Sequence, residues 1–137
     1  MATSIPTRTA SVLIIEDNLD TAESLARFLR IGCGYHVEIA TDGVKGLQTA
    51  RSEQPDVVIL DLGLPKKNGL IVGEQIAESM SPRPLIVAVT GYGDQATRDL
   101  AVEAGFDHFL TKPADPFDIE ALIEAHLQAN GWNRLTG

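Results

Sequence analysis

The run Val57-Val58-Ile59-Leu60 holds no polar residue and stops at one carboxylate, Asp61. Four apolar residues without alternation describe a strand covered on both faces, an interior strand of a parallel sheet. Parallel strands need crossover connections, so the rest of the chain should alternate strands with helices. Ligands of such sheets bind beyond the carboxyl ends of the strands, where Asp61 falls. Asp61 therefore reads as a nucleophile, and the neighbouring strand ends should supply what a phosphate-handling carboxylate needs.

With 137 residues the chain fits one domain with one core, needing neither a disulfide nor a structural metal. Its single cysteine, Cys33, has no internal partner and reads as a packing residue. An apolar run near the roughly 18 residues of a membrane helix is absent, as is a charged-then-apolar leader, so the sequence reads as cytoplasmic with no membrane partner. Eleven basic against nineteen acidic side chains give a net charge of -8, which repels nucleic-acid phosphate. No direct nucleic-acid binding is expected of this domain.

In chain order, residues 1–10 are rich in Thr, Ser and Pro and read as a disordered leader, the domain proper covers 11–130, and 131–137 form a C-terminal tail. Val12 to Ile15 is an apolar strand. Asn18 or Asp20 can cap a helix through about Ile31, with Thr21, Leu25, Phe28 and Leu29 on its core face. Tyr35 to Ala40 alternates in part, as an edge strand does. Asp42 can cap a helix bearing Val44, Leu47 and Ala50, and the central strand 56–60 follows Pro55. After the loop from Asp61 to Asn68 a helix runs to about Ser79, and a strand runs from Leu85 to Val89, ending at Thr90. Asp94 starts a helix with Leu100, Ala101 and Ala104 inward, closed by Gly105. Phe106 to Leu110 is a fifth strand leading to Thr111, Lys112 and Pro113, and a last helix spans about Pro116 to Asn130. The fold class is α/β, a flavodoxin-like five-stranded parallel sheet in the order 2-1-3-4-5 with helices on both faces.

That order gathers Glu16-Asp17, Asp61, Thr90 and Lys112 at four strand ends on one edge. Singly, each has a structural explanation: Asp17 or Thr90 as a helix cap, Glu16 as a solvated end, Lys112 as a surface lysine. Together they form a set suited to moving a phosphoryl group onto a carboxylate. Three carboxylates repel one another unless a cation intervenes, and Mg2+ prefers such oxygen ligands while keeping waters and binding phosphate oxygens. Lys112 can pair with a phosphoryl oxygen as a point charge and the Thr90 hydroxyl can donate to another. Asp61 is left to attack and become an aspartyl phosphate.

The sequence resembles the receiver domain of two-component response regulators, the CheY-like superfamily, over about residues 11–130. The resemblance rests on Glu16-Asp17, Asp61 with Pro65 and Gly69 following, Thr90 beside Gly91, and Lys112-Pro113, all in order. It implies a phosphorelay protein whose Asp61 takes a phosphoryl group from a histidine of a sensor kinase or phosphotransfer domain, with at most slow self-dephosphorylation. It implies Asp17, Asp61 and the Gly63 carbonyl as magnesium ligands, Glu16 acting through water, Lys112 as phosphate partner and Thr90 as the residue that follows the phosphoryl group. The family's aromatic switch falls on Phe109, where tyrosine is common, and a cis bond is implied before Pro113. An unnamed downstream protein would read the signal, from a monomer or a phosphorylation-dependent dimer.

Lys66 and Lys67 add positive charge near Asp61, either to draw an anionic donor or as a solvated loop. Leu19 and Ala26, with Pro113 and Ala114, are candidates for a kinase-docking patch. His36, His108 and His126 show no metal-ligand spacing. Three alternatives stand beside the signalling module: a receiver excised from a hybrid kinase or larger regulator, a degenerate docking scaffold, and an aspartate-nucleophile phosphatase of the haloacid dehalogenase type. The phosphatase wants a second aspartate two residues after the nucleophile, where this chain has Gly63.

Overall fold

The computed structural model describes residues 9–64, 68–91 and 93–131. Five strands and five helices alternate: β1 Ser11–Ile15, α1 Leu19–Arg27, β2 His36–Ala40, α2 Gly43–Glu53, β3 Val57–Asp61, α3 Gly69–Ser79, β4 Leu85–Thr90, α4 Gln95–Glu103, β5 His108–Thr111 and α5 Pro116–Ala129. All pairings are parallel and the order is β2-β1-β3-β4-β5. The flavodoxin-like arrangement read from the sequence is the one observed. From β1 the chain steps outward to β2, then returns across β1 to β3 and continues to β5. Connections of one hand therefore place α1 on one face of the sheet and α2, α3 and α4 on the other, with the change of direction between β1 and β3.

Side-chain alternation divides the core accordingly. Val12, Ile14, Val57 and Ile59 point to the face covered by Ala22, Ala26 and Leu29 of the α1 region and by Ile119, Ile123 and Leu127 of α5. Leu13, Ile15, Val58 and Leu60 point to the face covered by Leu47, Ala50, Val72, Ile76 and Ala101. Every residue of β3 and β4 is buried, whereas the edge strand β2 alternates. Ala10 already lies in the core at 3% exposure, and its carbonyl accepts from His36 N–H at 3.0 Å. The residues 1–8, the pair Lys66-Lys67 with Pro65, and the tail 132–137 lie outside the described residues.

The helices depart from the sequence reading in which residues face inward. Thr21 is exposed, and α1 buries Ala22 and Ala26 instead. Small residues bring that helix close to the sheet, and a pattern weighted toward large apolar side chains misses them. The π-helical turn Phe28–Gly32 then inserts extra backbone, so Leu29 stays buried while Ile31 is 78% exposed. Val44 is also exposed, because α2 packs through Gly43, Gly46, Leu47 and Ala50. On α4, Leu100 is exposed and Ala101 is the fully buried residue. Phe106 precedes β5 rather than beginning it, and its ring lies directly over Gly73 of α3.

A Cβ at Gly73 would overlap that buried ring. Gly73→Ala should therefore destabilise the chain by about 1–3 kcal/mol, the usual range for overpacking, despite alanine's better helix propensity. Chemical denaturation checks the sign. A more stable Gly73→Ala would contradict the packing, and Phe106→Leu in the same chain should recover part of the loss.

Candidate functional site

Asp61 closes β3 at the carboxyl edge of the sheet and is 8% exposed. One carboxylate oxygen accepts from the backbone N–H of Gly63 at 2.9 Å, and the other accepts from Lys112 Nζ at 3.0 Å. The same ammonium reaches Glu16 Oε1 at 2.7 Å. Glu16 follows β1 and is 6% exposed; its second oxygen accepts from Asn18 N–H at 3.0 Å. Lys112 therefore bridges two buried carboxylates delivered by adjacent strands.

Two features of local folding hold Asp61 in place. Gly69, the first residue of α3, packs so closely that a Cβ there would sit 2.6 Å from both the Asp61 carbonyl oxygen and Leu62 Cα. Only glycine lets the helix return onto the strand end at that distance. On the other flank, β5 pairs Thr111 with Thr90, and Lys112 N–H donates to the Thr90 carbonyl at 2.8 Å, fixing where the lysine leaves the sheet. The Lys112–Pro113 bond is cis. Thr90 ends β4 fully buried, next to Asp61 in the strand order.

Asp17 is exposed and does not cap α1; that role belongs to Asn18, whose side chain accepts from Thr21 N–H at 2.9 Å. Likewise Asp94, not Thr90, caps α4. The structural explanations for Asp17 and Thr90 as caps thus fall away. Each of Glu16, Asp17 and Asp61 offers a carboxylate oxygen, and these three atoms lie within 4.8 Å of one another.

Burial pushes the Glu16 carboxyl above the usual carboxylate range, more than the bonds from Lys112 and Asn18 pull it down. For Lys112, burial alone would lower the ammonium's pKa, but the hydrogen bonds to Glu16 and Asp61 outweigh it and the pKa is raised. Lys112 is therefore a fixed positive charge beside Asp61. A donor set made only of carboxylate oxygens, partly desolvated and mutually repelling, fits a hard divalent cation.

A cleft of about 700 Å³ opens beside this centre, between α1 and the segment after β5, lined by Leu25, Ile119, Pro113 and Ala114 next to Asp61 and Lys112. Of the anticipated docking patch, Leu19 is 54% exposed and Pro113 is exposed, but Ala26 is fully buried and belongs to the core. Phe109 stands on β5, half-buried, with the Arg98 guanidinium carbon 4.7 Å from its ring centroid. Sequence reasoning missed Arg98, since nothing in local spacing pairs a residue of α4 with one eleven positions on. It also missed the Asn18 N–H on Glu16, for which an acidic residue two positions ahead of a cap was the only signal.

A family model described as "Response regulator receiver domain" matches residues 12–124. Among curated proteins, a "Probable transcriptional regulator ycf27" from Guillardia theta is 38% identical over 117 residues, 85% of this chain and 45% of its own length. A "Response regulator MprA" from Mycobacterium ulcerans is 35% identical over 112 residues, 82% of this chain and 46% of its own. This chain thus spans about half the length of the curated relatives it matches. A solved receiver domain protein (CheY-like) from Methanospirillum hungatei, 27% identical, superposes with a TM-score of 0.84 over 90% of this chain and 98% of that one. With a family model covering most of the sheet and all the strand ends that build the site, the chain belongs to the response regulator receiver domain family.

Proposed function

We propose that the chain is a phosphoacceptor of a two-component phosphorelay, in which Asp61 takes a phosphoryl group from a histidine of a sensor kinase or phosphotransfer domain. The observation that carries it is the position of the Asp61 carboxylate, at the end of the central strand with one oxygen on the Gly63 amide and the other on Lys112. In the transfer a carboxylate oxygen of Asp61 attacks phosphorus, a P–O bond forms, and the P–N bond breaks with its electron pair going to the ring nitrogen, so that the imidazole leaves neutral with its other nitrogen keeping the proton it already carries.

Lys112 moves its contact from the Asp61 carboxylate to a phosphoryl oxygen, holding negative charge that has shifted outward by one group. Asp17 and Asp61, with the Gly63 carbonyl and Glu16 through water, would hold Mg2+. When bound, the ion supplies charge neutralisation for the carboxylates and the incoming phosphate oxygens. Thr90 donates its hydroxyl to the phosphoryl group, and its displacement with that of Phe109 changes the surface that a downstream protein reads. The chain is a signalling protein rather than an enzyme with turnover. Its output is a change in what a partner or a further domain binds.

No described helix is long and apolar enough to cross a membrane. Magnesium should stabilise the free protein: at ten times its dissociation constant the gain is about 1.4 kcal/mol, or roughly 3–6 °C in thermal midpoint for a chain of this size. Asp17→Asn removes a donor and should abolish most of that rise. An unchanged midpoint at millimolar magnesium would remove the metal from this reading. With acetyl phosphate and magnesium the chain should gain one phosphoryl group, and no gain would overturn the reading itself.

A further inference from the structure

Phe109 lacks the hydroxyl that would tie its ring to neighbouring backbone, yet the ring is not left to packing alone. Arg98, half-buried on α4, lays its guanidinium against the ring face with 4.7 Å between the guanidinium carbon and the ring centroid. A planar cation on an aromatic face is attracted by the ring's negative quadrupole, the more so when partly removed from water. Two further contacts orient the fork. Nε points to the Gly93 carbonyl at 3.4 Å, and Nη2 points to Thr111 Oγ1 at 3.5 Å. Both are long for hydrogen bonds, so they steer the group more than they hold it.

The three contacts join segments whose relative position matters for the site. Gly93 lies in the connection between Thr90 and α4. Thr111 pairs in register with Thr90 and immediately precedes Lys112. The connection passes so close to β5 that a Cβ at Gly93 would lie 2.7 Å from Thr111 Oγ1. Arg98 therefore spans the connection after Thr90, the strand that delivers Lys112, and the Phe109 ring.

We propose that Arg98 is a positioning residue, a clamp that holds the Thr90–α4 connection and the Phe109 ring in the arrangement of the unphosphorylated protein. This rests on the phosphoacceptor reading above. If Thr90 moves toward a phosphoryl group on Asp61, the connection that carries Gly93 moves with it, and the guanidinium cannot keep both the Gly93 carbonyl and the ring. Phosphorylation works against the clamp, and by linkage the clamp works against phosphorylation. Removing it favours the phosphorylated arrangement.

The test uses the whole chain labelled with 4-fluorophenylalanine, the Phe109 fluorine being assigned by its loss in Phe109→Leu. In Arg98→Ala the resonance of the free protein should move toward the position that wild type takes with magnesium and beryllofluoride. The acetyl phosphate concentration giving half-maximal adduct should fall about threefold. Arg98→Lys keeps a cation for the ring but not the fork, and should lie between the two. Folding of each variant is checked by its thermal midpoint. A resonance that moves away from the beryllofluoride position, or an unchanged or raised donor requirement in a folded Arg98→Ala, would overturn the clamp. If wild type forms no adduct, the phosphoacceptor reading fails. The clamp is then judged on the free protein alone, where a Phe109 fluorine resonance identical in wild type and Arg98→Ala refutes it and faster ring exchange in the variant supports it.

Discussion

Gly69→Ala should be among the most damaging single-methyl changes in this chain, lowering stability by about 1–3 kcal/mol. The added Cβ would meet the Asp61 carbonyl oxygen and Leu62 Cα at 2.6 Å and the Leu62 carbonyl carbon at 3.1 Å. All three are backbone atoms, which cannot rotate away as a side chain can. Relief must come from α3 lifting off the strand end, which weakens the already long 3.4 Å bond from Gly69 N–H to the Leu62 carbonyl, or from displacement of Asp61 itself. Where no clash exists, replacing a helical glycine by alanine stabilises by up to about 1 kcal/mol, so the sign of the change is diagnostic. The thermal midpoint should fall by roughly 5–15 °C, and adduct formation should slow by about tenfold or more because the nucleophile is displaced. Gly32→Ala is the matched control, since its Cβ would meet only Phe28 ring atoms at 3.9 Å and should change little. A Gly69→Ala protein as stable and as reactive as wild type would mean that α3 does not fix Asp61.

The central strands and their ends are legible in the sequence for a physical reason. Strands buried on both faces must be apolar throughout, so 57–60 and 85–89 announced themselves, and each carboxylate or hydroxyl that interrupted such a run marked a strand end. Asp61, Thr90 and Glu16 were visible that way, and all three are buried polar groups in the structure. Helix faces were less legible. Thr21 and Leu100 are expected inward and lie outward; on α1 a pattern weighted toward large apolar side chains misses Ala22 and Ala26, whereas Leu47, Ala50, Ala101 and Ala104 are legible and buried. The π-helical turn after Arg27 has no sequence signature and reset the phase that placed Ile31 in the helix.

Contacts between distant segments were the least legible. Lys112 is legible as a partner for phosphate, but its present contacts, Glu16 and Asp61, depend on β1, β3 and β5 ending on one edge of the sheet, with β4 between the last two. Arg98 over Phe109 depends on how α4 settles against β5, which no local pattern encodes. The closeness of Gly69 to Asp61 is of the same kind: the glycine was noted as part of a motif, and its steric reason appeared only with the backbone of Leu62 beside it.

Asp61→Asn should abolish phosphoryl uptake while leaving the fold intact. The amide is nearly the same size, and its oxygen can still accept from the Gly63 N–H that now bonds the carboxylate at 2.9 Å. What it lacks is negative charge on the attacking atom, and an amide oxygen does not yield a stable acyl phosphate. A loss of at least about a hundredfold in rate corresponds to roughly 2.7 kcal/mol or more in the barrier. Its neighbours do not replace it. Glu16 is bonded on both oxygens, and Asp17 is exposed with no cationic partner among the described residues.

The direct measurement is intact-mass analysis with peptide mapping after incubation with magnesium and acetyl phosphate, wild type beside Asp61→Asn. One phosphoryl group on the peptide containing Asp61 in wild type, and none in the variant, is the predicted result. Equal labelling of the two proteins, or a modified residue other than Asp61 in wild type, would contradict the assignment of Asp61 as the phosphoacceptor.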